Sequence, residues 1–208
     1  PVPIYDIAMS LDIASIDPIP PEVKSFEGIL YKKGWQGFIF FNDSSPEPRQ
    51  RFTIGHELGH WMIPSHLTGD KLSCTKQQTS SFTTTGKNIP KEVRIEIEAN
   101  YFSAQVLMPS REFKNDINKV EPDLRHIFRI SQKYSVSMAA CCIRFRELSD
   151  FSCAIIHHHN FVIKRVLKTK SFPSLDRNFK QGAFISPKRI SAKAAINTSL
   201  EPIDWKMW

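Results

Sequence analysis

No stretch of this 208-residue chain approaches the roughly 18 consecutive apolar residues that a membrane-spanning helix needs. The N-terminal region has no signal-peptide pattern, and no internal repeat recurs along the chain. The four cysteines, Cys74, Cys141, Cys142 and Cys153, follow neither a disulfide-framework nor a zinc-knuckle spacing. These absences point away from membrane partners and secreted disulfide scaffolds, and towards a cytoplasmic protein with reduced thiols. What remains is ordinary for a soluble globular chain, with 41% hydrophobic and 24% charged residues, enough for one full core or one core with a small appendage.

Charge of one sign is also absent from most of the chain. Residues 1–150 hold 18 Lys and Arg against 18 Asp and Glu, so the net +7 resides in residues 151–208, where 10 basic residues face 3 acidic ones. A basic segment of this kind can meet nucleic acid or an acidic partner, although scattered surface lysines are its commoner meaning.

The patterning predicts an α+β chain. Gly28–Tyr31 and Trp35–Phe41, separated by Lys32-Lys33-Gly34, read as a β-hairpin with a buried Phe38–Asn42 stretch. Ser44-Ser45-Pro46 signals a helix start, and the helix carries Arg49 through about Met62 before Pro64 stops it. Leu67–Ile89 is rich in Ser, Thr and Lys and reads as one long loop, of the kind that gates a cleft. A second strong helix runs from Lys91 to Met108. Ser110, Pro122 and Ser137 then open shorter helices, the last two (about 122–133 and 137–148) joined by Tyr134-Ser135-Val136 with helix-turn-helix spacing. Cys153–His157 and Phe161–Leu167 read as another hairpin. The expected organisation is a core over 1–109, a helical segment over 110–150 and a basic β-rich segment over 151–208.

The chemistry centres on His56-Glu57-Leu58-Gly59-His60. Positions i and i+4 lie on one helix face, so both imidazoles can reach a single metal ion. Glu57 projects about 100° further round, where a carboxylate can act as base on a metal-activated water. Catalytic zinc takes about three protein ligands and leaves a position open, and Glu96, Glu98 and His66 compete for the third place. At about 100° per residue, Val93, Asn100, Ala104 and Leu107 fall within about 80° of Glu96, on the face turned to the core. Arg94, Glu98 and Gln105 share the opposite, polar stripe. A buried carboxylate needs a charge partner or a metal, which favours Glu96. His66 has the spacing of the third histidine in the metzincin pattern, but Ile63 stands where that pattern turns on glycine. It therefore reads as an exposed loop histidine. Cys74 reads as an unpaired loop cysteine, although it too might approach the metal, and His157-His158-His159 as a solvated turn. No residue is selected as an extra oxyanion donor from among Tyr101, His66 and His126.

Arg49–His60, together with Glu96-Ile97-Glu98-Ala99-Asn100-Tyr101-Phe102 through Leu107-Met108-Pro109, resembles the ImmA/IrrE family of metallo-endopeptidases. Asn42 and Val136-Ser137 are also similar to that family, and the resemblance spans about residues 25–150. It implies a gluzincin-like domain, a small β-sheet packed on the HExxH helix and the third-ligand helix, followed by the short helices and the β-rich C-terminal segment. It also implies Zn2+ held by His56, His60 and Glu96, with Glu57 as general base and Asn100 hydrogen-bonded to a ligand histidine. The implied substrate is a helix-turn-helix repressor. The alternative is a non-enzymatic regulator of the same fold, binding a repressor or DNA through helices 122–148 and the basic tail.

Overall fold

Alternating apolar residues build the first sheet. β2 (Phe26–Lys33) and β3 (Gln36–Phe41) pair antiparallel, with Leu30 opposite Ile39 and Gly28 opposite Phe41. Gly34, in the two-residue loop between them, has φ +62°, a left-handed conformation that glycine adopts without steric cost. Along β3 the buried positions are Gly37, Ile39 and Phe41, the period of two expected of a strand with one face on the core. β1 (Ile13–Pro18) joins β3 in parallel and β4 (Lys71–Thr75) joins β2 antiparallel, giving the order β1-β3-β2-β4.

The computed structural model describes residues 1–20, 22–23, 25–66, 89–119, 123–173 and 180–185, and the backbone of 71–75. Two expectations change at the sheet. The Leu67–Ile89 segment is not wholly loop, because β4 lies inside it; the remainder of that segment, apart from Ile89, falls outside the described residues. β3 is an interior strand, so β1 and β4 form the sheet edges among the described residues.

Two helices follow the lines that their breakers set. α2 (Glu47–Met62) has Pro46 at its N-cap and Pro48 in its first turn, where a missing N–H costs nothing. Every residue from Arg51 to His60 is buried. A helix apolar on one stripe only would not show this; α2 is central, covered by β2 and β3, by α1 (Ile4–Met9) and by α3 (Lys91–Leu107). Burying side chains such as Ile54 and Leu58, both fully inaccessible, contributes about 1.5–3 kcal/mol each.

Small residues let α2 and α3 approach. A Cβ added to Gly55 would meet Ser103 Oγ at 2.6 Å, and one added to Gly59 would stand 3.2 Å from the Ala99 backbone. Ser103 Oγ donates to the Phe52 carbonyl at 2.9 Å, tying the helices with a buried hydrogen bond. At the start of α2, buried Glu27 accepts from Ser45 Oγ (3.1 Å) and from Arg49 Nε (3.4 Å).

The chain divides into two compact units, one of Pro1–Pro109 with Tyr134–Val136, the other of Ser110–Lys133 and the chain from Ser137 onward. The second holds α4 (Ser110–Ile117), all but the last residue of α5 (Leu124–Tyr134), α6 (Met138–Leu148), and the hairpin β5 (Ala154–His159) and β6 (Val162–Lys168). Asp123 Oδ1 accepts from the His126 amide at the start of α5 (2.6 Å), and Ser137 Oγ accepts from the Ala140 amide at the start of α6 (3.3 Å). Asn160 and Phe161, both at positive φ, turn the hairpin, as a two-residue primed turn requires. Most of the basic C-terminal segment, residues 174–179 and 186–208, lies outside the described residues.

Candidate metal centre

The register of α2 brings His56 and His60 one turn apart, their Nε2 atoms 3.0 Å from each other. α3 packs across them, and Glu96, on the face turned to α2, presents Oε2 3.3 Å from His56 Nε2 and Oε1 3.6 Å from His60 Nε2. All three residues are buried, and one ligand atom from each lies within 4.8 Å of the others. Among the described residues, no other group of three or more His, Cys, Asp or Glu converges in this way.

The geometry fits a small divalent cation. Tetrahedral zinc with bonds of about 2.0–2.1 Å has its ligand atoms about 3.3 Å apart, and the three separations observed bracket that value. The outer nitrogens support the same reading. Asn100, one turn after Glu96 on α3, places Oδ1 2.9 Å from His56 Nδ1. That nitrogen therefore donates, and His56 Nε2 keeps its lone pair directed at Glu96 and His60. Burial, reinforced by the neighbouring charges of His56 and His66, pushes the His60 pKa down to about 2, so this imidazole is neutral.

Glu57 is fully buried on α2, beneath β2. Gly28 makes room for it, since a Cβ at that position would lie 2.2 Å from Glu57 Oε1. Gly28 is a functional position that reading the sequence missed. A glycine inside a strand pattern, signalling close approach of another group, was the available sign.

His66 corrects an expectation. It is fully buried in a 3-10 turn at Pro64–His66, not an exposed loop residue. Nor does it join the ligand cluster: its Nδ1 sits 3.1 Å from His60 Nδ1, the nitrogen on the far side of that ring, and its Nε2 sits 2.9 Å from Glu98 Oε2. Glu98, with a half-exposed side chain, also lies 3.8 Å from Arg94 Nε, one turn earlier on the same polar stripe. Tyr101 is exposed, while His126 Nε2 bonds the Asp116 carbonyl in the second unit. His157, His158 and His159 are exposed at the end of β5, and the side chain of Cys74 lies outside what is described.

An α+β, zincin-type domain is thus defined by a sheet, a central HExxH helix and a crossing helix that supplies a carboxylate. The chain belongs to the IrrE N-terminal-like domain family, a peptidase family whose model matches residues 18–146. The similarity to ImmA/IrrE proteins visible in the two helical motifs is therefore a family relationship. Solved structures that match include a Mycobacterium tuberculosis transcriptional regulator, at 19% identity and a TM-score of 0.43, over 67% of this chain and 38% of that one. The chain thus spans well under half of that protein. No curated protein matches the chain. No helix among the described residues is long and apolar enough to cross a membrane.

Proposed function

We propose that this protein is a zinc-dependent endopeptidase with His56, His60 and Glu96 as metal ligands and Glu57 as general base. The observation that carries the proposal is the convergence of two buried imidazole Nε2 atoms and one buried carboxylate, at separations of 3.0–3.6 Å, on the helix that also holds Glu57. Zinc in this position supplies Lewis acidity, polarising a scissile carbonyl and bringing the ionisation of water towards neutral pH.

The chain's own residues supply the rest. Glu57 accepts a proton from the attacking water and returns it to the leaving amine nitrogen. Gly28 leaves the carboxylate its space, and Asn100 orients His56. The peptide pairs with the open edge of β4, in place of the β3 edge expected from the sequence, because β3 is covered on both sides. β4 is the better-placed edge, since it pairs with β2, where Cys74 lies opposite Gly28. The substrate class that the family resemblance implies is a specific regulatory protein such as a helix-turn-helix repressor. A binding protein with no catalytic role would gain nothing from burying Glu57 beside the cluster, which argues against the non-enzymatic alternative.

The test is Glu57→Gln, which is nearly isosteric but cannot accept the proton. Metal content and fold should persist while cleavage of the partner repressor falls by about 10²–10⁴-fold. A fully active Glu57→Gln protein sinks the mechanism.

A further inference from the structure

We infer that Glu98, acting through His66, sets the tautomer of His60 and thereby turns the His60 Nε2 lone pair towards Glu96 and His56. The inference rests on the metal-site reading for its purpose, but its geometry stands independently. The chain of contacts runs His60 Nδ1 to His66 Nδ1 at 3.1 Å, then His66 Nε2 to Glu98 Oε2 at 2.9 Å.

Donor and acceptor roles can be assigned from the outer end inwards. An ionised carboxylate only accepts, so the nitrogen facing it, His66 Nε2, carries the hydrogen. In a neutral imidazole the other nitrogen is then an acceptor, so His66 Nδ1 receives a hydrogen bond from His60 Nδ1–H. His60, also neutral, is left with its lone pair on Nε2. The opposite polarity would place the hydrogen on His60 Nε2, pointing into the ligand cluster. With Glu98 ionised, it requires an imidazolium at His66, a fully buried side chain whose carboxylate partner is 43% exposed. Taking that charge out of water is the cost that decides against it.

His56 and His60 are thus oriented by different devices. Asn100 acts on His56 directly. For His60, a second imidazole is interposed between the ligand and the carboxylate, which extends the usual carboxylate–histidine–metal arrangement by one ring. His66 and Glu98 are positioning residues; neither meets the cluster through a metal-facing atom. Glu98 also accounts for the polar stripe of α3 reaching back towards the site, since its other oxygen faces Arg94.

The experiment uses the full-length chain and two readouts. Nitrogen-15 imidazole spectra of the metal-free protein should show hydrogen on His60 Nδ1 and on His66 Nε2. In Glu98→Gln, whose amide can either accept or donate, the His66 tautomer should no longer be single. Zinc affinity, measured by competition with a chromophoric chelator, should fall by about 10–100-fold in His66→Phe. It should largely return in His66→Gln, whose carbonyl accepts from His60 while its NH2 donates to Glu98. Hydrogen on His60 Nε2 in the wild-type spectra overturns the inference, as does a His66→Phe protein that binds zinc like wild type. Wild-type protein that fails to bind zinc defeats the metal-site reading instead, and the spectra still decide the relay.

Discussion

Gly28 and Glu57 touch so closely that a methyl group on Gly28 would stand 2.2 Å from Glu57 Oε1 and 2.7 Å from Thr53 Cγ2. Gly28→Ala must therefore displace either β2 or the carboxylate. The ligand residues come from α2 and α3, so bound metal should stay near one ion per chain. Peptide cleavage should fall by about 10²-fold, the usual consequence of misplacing a catalytic group by about 1 Å. Zinc stoichiometry and kcat/KM on the same preparations check this, and undiminished cleavage would show that Glu57 tolerates the move.

Glu96 and Glu98 occupy opposite faces of α3 and should behave differently. Glu96→Gln removes a charged oxygen facing both imidazoles, whereas Glu98→Gln changes a half-exposed side chain that reaches His60 only through His66. After extensive dialysis, mass spectrometry should find most of the metal lost from Glu96→Gln and retained by Glu98→Gln. The reverse pattern would overturn the ligand assignment.

The close approach of α2 and α3 makes Gly55 intolerant of added volume. A Cβ there would meet Ser103 Oγ at 2.6 Å, and that oxygen is held by its bond to the Phe52 carbonyl. Gly55→Ala should lower stability in urea by about 1–3 kcal/mol. Ser103→Ala, destabilising alone through the lost hydrogen bond, should relieve part of the Gly55→Ala cost when the two are combined. Strict additivity in the double-mutant cycle would mean that the clash is absorbed elsewhere.

Burial pushes the Cys142 thiol up to about 12 and Cys141 further still, while the half-buried Cys153 is raised less. Thiolate is the reactive form, so at pH 8 Cys141 and Cys142 should resist iodoacetamide in the native protein and react fully once it is unfolded. Of the three, Cys153 should be modified first. Peptide mapping of the alkylated native protein measures this, and rapid native labelling of Cys141 would contradict its burial.

The helices were legible because their signals are local. Pro46 and Pro64 bracket α2, Pro90 and Pro109 bracket α3, and Ser137 caps α6, each through backbone geometry that the residue itself imposes. α1, β1 and β4 were not found. Each has only five or six residues, too short for a period to stand out. β4 is held by pairing with β2 more than 40 residues earlier in the chain, and no property of Lys71–Thr75 alone announces such a partner.

The same division runs through the site. The amino-acid sequence by itself determined that His56 and His60 share a face, that Glu57 follows the first of them, and that Glu96 lies on the core side of its helix while Glu98 does not. These follow from the fixed rotation of about 100° per residue. Only the tertiary structure decided that α3 crosses α2 with Glu96 against both imidazoles, that Gly28 shelters Glu57, and that His66 is buried between His60 and Glu98. Those relationships join residues 29 to 44 positions apart, Glu57 to Gly28, Glu98 to His66 and Asn100 to His56 among them. Contacts over such separations depend on how the sheet and two helices pack together, a property of the whole core that no local pattern encodes.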